Sequence, residues 1–136
     1  MNKYLLLLIW LYSTAVFSDD FDCDNAMTTI EINHCVGLVL DSAEKEMNTY
    51  LLKSKEHHHY DPELTESIES AQKTWAVYAQ AHCDSIYTMW REGSIRGVMY
   101  LSCKTNITKQ RTHDIWSSFL TYMDSTPPVL PEPKVK

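Results

Sequence analysis

The stretch AQKTWAVYAQAHCD, Ala71 to Asp84, puts a Trp, a Tyr, a His and a Cys into a few turns of one segment. Its reading decides the fold. Ile68, Ala71, Trp75, Tyr78 and His82 recur at steps of three and four, the spacing of one helical face. That face is expected to be the core face, with Cys83 beside it as a covalent staple. Asp61 suits the N-cap of this helix and Pro62 its first turn. The helix is expected to end near Trp90, before the loop REGSIRG with its two glycines.

Working outward, a helix is also expected on either side. Toward the N-terminus, TTIE places Thr28 three residues before Glu31, the capping-box pattern. Ile32, Val36, Val39, Ala43, Met47 and Tyr50 then continue at steps of three and four, to about Lys55. Gly37 interrupts this run, and close approach of another backbone is the expected reason. Toward the C-terminus a third helix begins between Gly97 and Cys103, with Leu101, Ile107, Ile115, Phe119 and Tyr122 as its apolar positions. No strand pattern competes. The expected fold is all-α, a small antiparallel three-helix bundle.

The first residues, MNKYLLLLIWLYSTAVFSDD, carry Lys3, an apolar run from Tyr4 to Phe17, and small residues before Asp19. The run is too short for a spanning helix and has the form of a signal peptide. The expected organisation is a leader over 1–18, a helical domain over 19–123, and a Pro-rich flexible tail over 124–136 with little to bury. Export makes the four cysteines, Cys23, Cys35, Cys83 and Cys103, two disulfides. No C-x-x-C spacing suggests zinc. Three connectivities are open. The favoured pairs are the short-loop ones, Cys23–Cys35 and Cys83–Cys103, which staple one end of the bundle and order the loop from Tyr87 to Gly97.

The chain has 136 residues and a formal net charge of -6. That argues against nucleic-acid binding and allows a cationic partner. Asp19, Asp20, Asp22 and Asp24 form an acidic entry to the first helix, either a helix-dipole and solubility feature or a steering patch. His57, His58 and His59 are weak metal candidates in an unstapled linker, since good sites hold their ligands with supporting contacts. His82 and His113 read as structural, with no nucleophile paired to them. A thin bundle offers no cleft for paired carboxylates. Asn106-Ile107-Thr108 matches a glycosylation sequon. No cofactor and no enzymatic activity are expected.

DCDNAMTTIEINHC, MNTYL, AQKTWAVYAQAHCD, EGSIRGVMYLSC and LSCKTNITKQRTHDI occur in that order. Together they resemble the LprI-like lysozyme inhibitor family, which includes YecT-type periplasmic proteins. The resemblance covers about 22–119 and rests on the four cysteines, AQ-x-x-W, and T-x-x-R from Thr108 to Arg111. It implies a secreted or periplasmic helical domain with intramolecular disulfides and a lysozyme as partner. Where the family loop usually reads GGS, this chain has Glu92-Gly93-Ser94. Glu92, Gly93, Ser94 and Arg96 are the candidate partner-binding residues, occluding a muramidase cleft by shape and charge. The competing expectation is an envelope protein-interaction module with no lysozyme inhibition.

Overall fold

The computed structural model describes residues 22–135. Three helices account for most of them: α1 (Thr29–His57), α2 (Pro62–Met89) and α3 (Arg96–Phe119). The leader expected over 1–18 lies outside the described residues. Among these residues no helix is long and apolar enough to cross a membrane.

Local chemistry sets the first two helix starts. The Glu31 N–H donates to Thr28 Oγ1 at 3.2 Å, while Glu31 Oε2 accepts from the N–H groups of Thr28 at 2.9 Å and Met27 at 3.0 Å. Three amides with no intrahelical partner are satisfied this way. At α2 the Leu64 N–H donates to Asp61 Oδ1 at 3.1 Å, and Pro62 occupies the first turn, where no amide is needed. Helix α3 differs: Ile95 caps it with no side-chain hydrogen bond, and it starts at Arg96, just ahead of the expected window.

The chain runs up, down and up, so α1 and α3 are parallel and α2 is antiparallel to both. Near one end Asn33 of α1 lies against Gly97 of α3. At the other, His58 Nε2 donates to the Phe119 carbonyl at 2.9 Å. The α1–α3 interface is the more extensive, and α3 also packs along α2. The disulfides are Cys23–Cys35 and Cys83–Cys103, both toward the end where α1 and α3 begin. This is the stapled antiparallel bundle the sequence implied.

The core gathers Met47 and Tyr50 of α1 with Ile115 of α3 and Leu120, flanked by Leu51, Trp75, Trp116 and Phe119. A second buried line on α3 is polar: Thr105, Thr108 and Thr112. Thr105 Oγ1 donates to the Leu101 carbonyl at 2.9 Å and Thr112 Oγ1 to the Thr108 carbonyl at 3.0 Å, which removes the cost of burying those hydroxyls.

Several facing assignments differ from the sequence reading. On α2 the buried residues are Ile68, Ala79 and Cys83, while Ala71, Tyr78 and His82 are exposed. One residue is 100° of helix rotation, and the disulfide to α3 turns Cys83 inward, carrying Ala79 with it. On α1, Leu40 is buried and Val39 half-exposed, because Val36 and Val39 face an open groove beneath the tail. A methyl group added at Gly37 would meet no atom within 4 Å; the close approach occurs at Gly97 instead. On α3, Leu101, Ile107 and Phe119 are half-buried, and Tyr122 is exposed beyond the helix end.

The tail differs most. Val129 and Leu130 pack on the core. The Val129 N–H donates to the Leu120 carbonyl at 2.8 Å, Trp116 Nε1 to the Leu130 carbonyl at 2.9 Å, and the Tyr50 hydroxyl to the Pro131 carbonyl at 2.7 Å. His113 Nε2 lies 3.1 Å from Glu132 Oε1. Proline excludes helix here but leaves an extended strap able to cover the α1–α3 seam. The histidine segment is also anchored: besides the His58 bond, His59 Nδ1 donates to the Glu56 carbonyl and His57 Nε2 lies 3.4 Å from the Tyr122 hydroxyl. The three imidazoles meet three different partners.

Candidate functional site

The loop between α2 and α3 joins two helices already tied by Cys83–Cys103, whose Cα atoms are 5.7 Å apart. That staple lies about two turns below the loop on each helix. The loop itself is closed by short backbone bonds: the Gly93 N–H donates to the Trp90 carbonyl at 2.8 Å and the Arg96 N–H to the Gly93 carbonyl at 3.3 Å. No described residue has positive φ, so Glu92 in place of a family glycine fits this backbone without strain.

The candidate residues divide by exposure. Gly93 is half-buried against Trp90, whereas Glu92, Ser94 and Arg96 are exposed. Arg96 stacks over the Tyr87 ring at 5.2 Å, and its Nη1 donates to the Arg91 carbonyl at 3.4 Å. The guanidinium is thus oriented by a ring and a carbonyl while keeping donors for a partner. Arg91 Nε lies 3.5 Å from Glu92 Oε1, an exposed pair of little energetic weight.

Beneath Arg96 is a layer the sequence did not reveal. Tyr87 meets Tyr100 edge-on at 6.0 Å. The Gln80 amide bonds the Tyr100 hydroxyl and donates to Asp84 Oδ1 at 2.8 Å, and Lys104 Nζ reaches Gln80 Oε1 at 3.5 Å. Gln80 and Asp84 are one helical turn apart, as are Tyr100 and Lys104, so spacing could have suggested the layer. Only the antiparallel pairing of α2 and α3 brings the two pairs together.

At the same end, Asp22 accepts from Asn25 Nδ2 at 2.7 Å and from the Asp24 N–H at 3.1 Å. The Asn25 bond, then the Asp24 amide, holds the Asp22 carboxyl below its ordinary range, so it is charged near neutrality. Asp19 and Asp20 lie outside the described residues.

Two grooves flank the bundle. The larger, about 850 Å³, runs between α1 and the tail, with Val36, Val39, Pro131 and Pro133 among its walls and Lys109, Glu46, Glu132 and Lys134 at its margin. The smaller, about 500 Å³, follows the α2–α3 seam. Among the described residues no group of three or more His, Cys, Asp or Glu is placed to hold a metal ion.

The family model described as lysozyme inhibitor LprI matches residues 23–115. The chain belongs to the LprI family. The matched span begins at the first stapled cysteine, takes in both disulfides and the whole α2–α3 loop, and ends at the buried Ile115. The strap that closes the α1–α3 seam lies beyond it. One relative, uncharacterized protein R02472 of Rhizobium meliloti (strain 1021), is 26% identical over 105 residues, 69% of this chain and 76% of that protein. No solved structure matches. Of the residues that carried the resemblance, Thr108 is buried and Gln72, Trp75 and Arg111 are half-buried. Two disulfides on such a bundle suit an extracytoplasmic compartment.

Proposed function

We propose that this LprI-family protein is a periplasmic or secreted inhibitor of a lysozyme-type muramidase, acting by occlusion with the loop 90–96. The family assignment carries the reading. The loop supports it: it is exposed, closed by its own hydrogen bonds and anchored by a disulfide, so little entropy is lost on binding. Arg96 is the group that pairs with an acidic residue of the enzyme cleft, and its stacking on Tyr87 keeps it aimed. Glu92 and Ser94 supply the rim contacts. The net charge of -6 favours encounter with a cationic enzyme and makes association salt-dependent.

The test is a panel of lysozyme types assayed with purified mature protein at two salt concentrations. Inhibition should weaken at the higher salt. Arg96→Ala should raise the inhibition constant by about tenfold or more, since charge-assisted contacts are worth roughly 1.5–3 kcal/mol. No inhibition by a large molar excess across the panel would sink the reading. A pull-down that recovers an envelope protein and no muramidase would then favour an interaction module in its place.

A further inference from the structure

The groove along the α2–α3 seam has a lining chemistry unlike the rest of the surface. It is walled on α2 by Tyr78, His82 and Ile86, and on α3 by Met99, Asn106 and Ile107, among others. None of its lining residues is Asp, Glu, Lys or Arg, in a chain where those four types make up 22% of the sequence. A site without formal charge gives an ionic ligand nothing to pair with, and charged ligands would lose hydration there. It suits a neutral one.

The polar groups that remain are hydroxyl and amide: Ser102, Asn106 and Gln110. Asn106 is exposed and offers both donors and an acceptor. Gln110 Nε2 is bonded to Asp114 Oδ1 at 3.0 Å, which leaves its carbonyl oxygen turned to accept. Facing them across the groove, Tyr78 and His82 stack at 5.8 Å with their planes only 19° apart. Tyr78 is 59% exposed. The near-parallel stacking on His82 steadies the Tyr78 ring at the surface and leaves its outer face open, and burying an apolar ligand face on that ring is favourable. Ile86, Met99 and Ile107 add an apolar strip. The floor includes Cys103, fixed to α2 through Cys83, so both walls are held at one spacing before any ligand arrives. At about 500 Å³ the groove falls in the usual range of small-ligand sites.

From this combination we propose that the α2–α3 groove is a binding site for a neutral saccharide bearing N-acetyl groups. One apolar ring face stacks on the open face of Tyr78, which His82 backs. Ring hydroxyls and the acetamide pair with Asn106, Gln110 and Ser102. The acetyl methyl lies on the Ile86–Met99–Ile107 strip. No lysozyme is needed for this binding, so it stands or falls separately from muramidase inhibition.

The test is titration of the isotopically labelled mature protein with chitotetraose, followed by NMR, with cellotetraose as the analogue lacking acetamides. Chitotetraose should give saturable shifts at Tyr78, His82, Asn106 and Ile107 in the millimolar range or tighter, and none at His57. Tyr78→Ala should weaken binding by about fivefold or more, Tyr78→Phe by far less, since the ring face is retained. Tyr78 is largely exposed, and an unchanged melting temperature will show that its variants fold. Absence of saturable shifts, or shifts unaffected by both Tyr78→Ala and Asn106→Ala, overturns the proposal. Equal binding of cellotetraose overturns the assignment to N-acetyl sugars.

Discussion

Arg111 Nε donates to Gln72 Oε1 at 3.0 Å, and Gln72 Nε2 in turn approaches Met47 Sδ at 3.5 Å. One side-chain chain therefore joins α3, α2 and α1. Burial pushes the Arg111 guanidinium below its ordinary value, with Asp114 acting in the opposite sense, and Nη2 is buried with no partner. Arg111 and Gln72, both half-buried, thus form a clamp between the helices.

The clamp should show strong coupling. Gln72→Leu leaves a second guanidinium N–H without its acceptor and should cost about 1–3 kcal/mol in urea unfolding. Arg111→Met should cost a similar amount by orphaning the Gln72 carbonyl. The double variant should lose less than the sum by about 1 kcal/mol or more. Strictly additive losses would show that the two side chains do not act together.

The tail should behave as part of the domain. Deleting 125–136 removes the cover of Val129 and Leu130 and three hydrogen bonds to Leu120, Trp116 and Tyr50. The expected loss is about 2–4 kcal/mol with a red shift of tryptophan emission. Burial first, then the Glu46 charge, raises the Tyr50 hydroxyl above its ordinary pKa of 10.0, so it remains a donor across the neutral range. Tyr50→Phe alone should cost about 1 kcal/mol. A truncation that changes stability by less than about 0.5 kcal/mol would mean the strap contributes nothing.

The two helical glycines should respond oppositely to alanine. At Gly37 the added methyl meets open space, and removing a mid-helix glycine should stabilise by about 0.5–1 kcal/mol. At Gly97 it would lie 2.8 Å from Asn33 Oδ1 and 3.3 Å from Asn33 Cγ, so the Asn33 side chain, packed between α1 and α3, must shift. Gly97→Ala should destabilise by about 1 kcal/mol, and Asn33→Ala in the same chain should relieve it. Melting temperatures of the three variants decide this.

Acid should loosen the start of α1 first. The Thr28 and Met27 amides hold the Glu31 carboxyl below its ordinary value of 4.5. A lowered folded-state pKa means the contribution is fully present above 4.5 and is lost as pH falls through the folded-state value. Amide exchange at Met27 and Thr28 should therefore accelerate below that pH, ahead of exchange in the Ile115 region. Glu31→Gln keeps an acceptor at that position and should flatten the pH dependence. Equal acid sensitivity in that variant would point to another group.

Two helix starts lay open in the sequence because each is decided within a few residues. Thr28 with Glu31 and Asp61 with Pro62 start two helices through bonds that span three positions. The pairing of Cys23 with Cys35 and of Cys83 with Cys103 was the favoured short-loop choice among three connectivities, and it is the one formed. The loop candidates Glu92, Ser94 and Arg96 stood out as glycine-flanked polar residues, but what aims Arg96 was hidden, because Tyr87 and Tyr100 belong to different helices.

What only the tertiary structure decided is which way each face turns and what lies against it. Tyr78-His82 and Ala79-Cys83 fit the helical period equally well, and only the bond from Cys83 to α3 turns one pair inward and leaves the other stacked at the surface. Thr105, Thr108 and Thr112 read as polar, yet the central position of α3 buries them, and the hydroxyls of Thr105 and Thr112 are satisfied by their own helix. The Pro-rich tail reads as unpacked because proline forbids helix, but Tyr50 and Trp116 offer donors to its carbonyls. Sequence alone determined where α1 and α2 begin, because capping is local. The docking of faces and strap depended on partners brought together from distant parts of the chain.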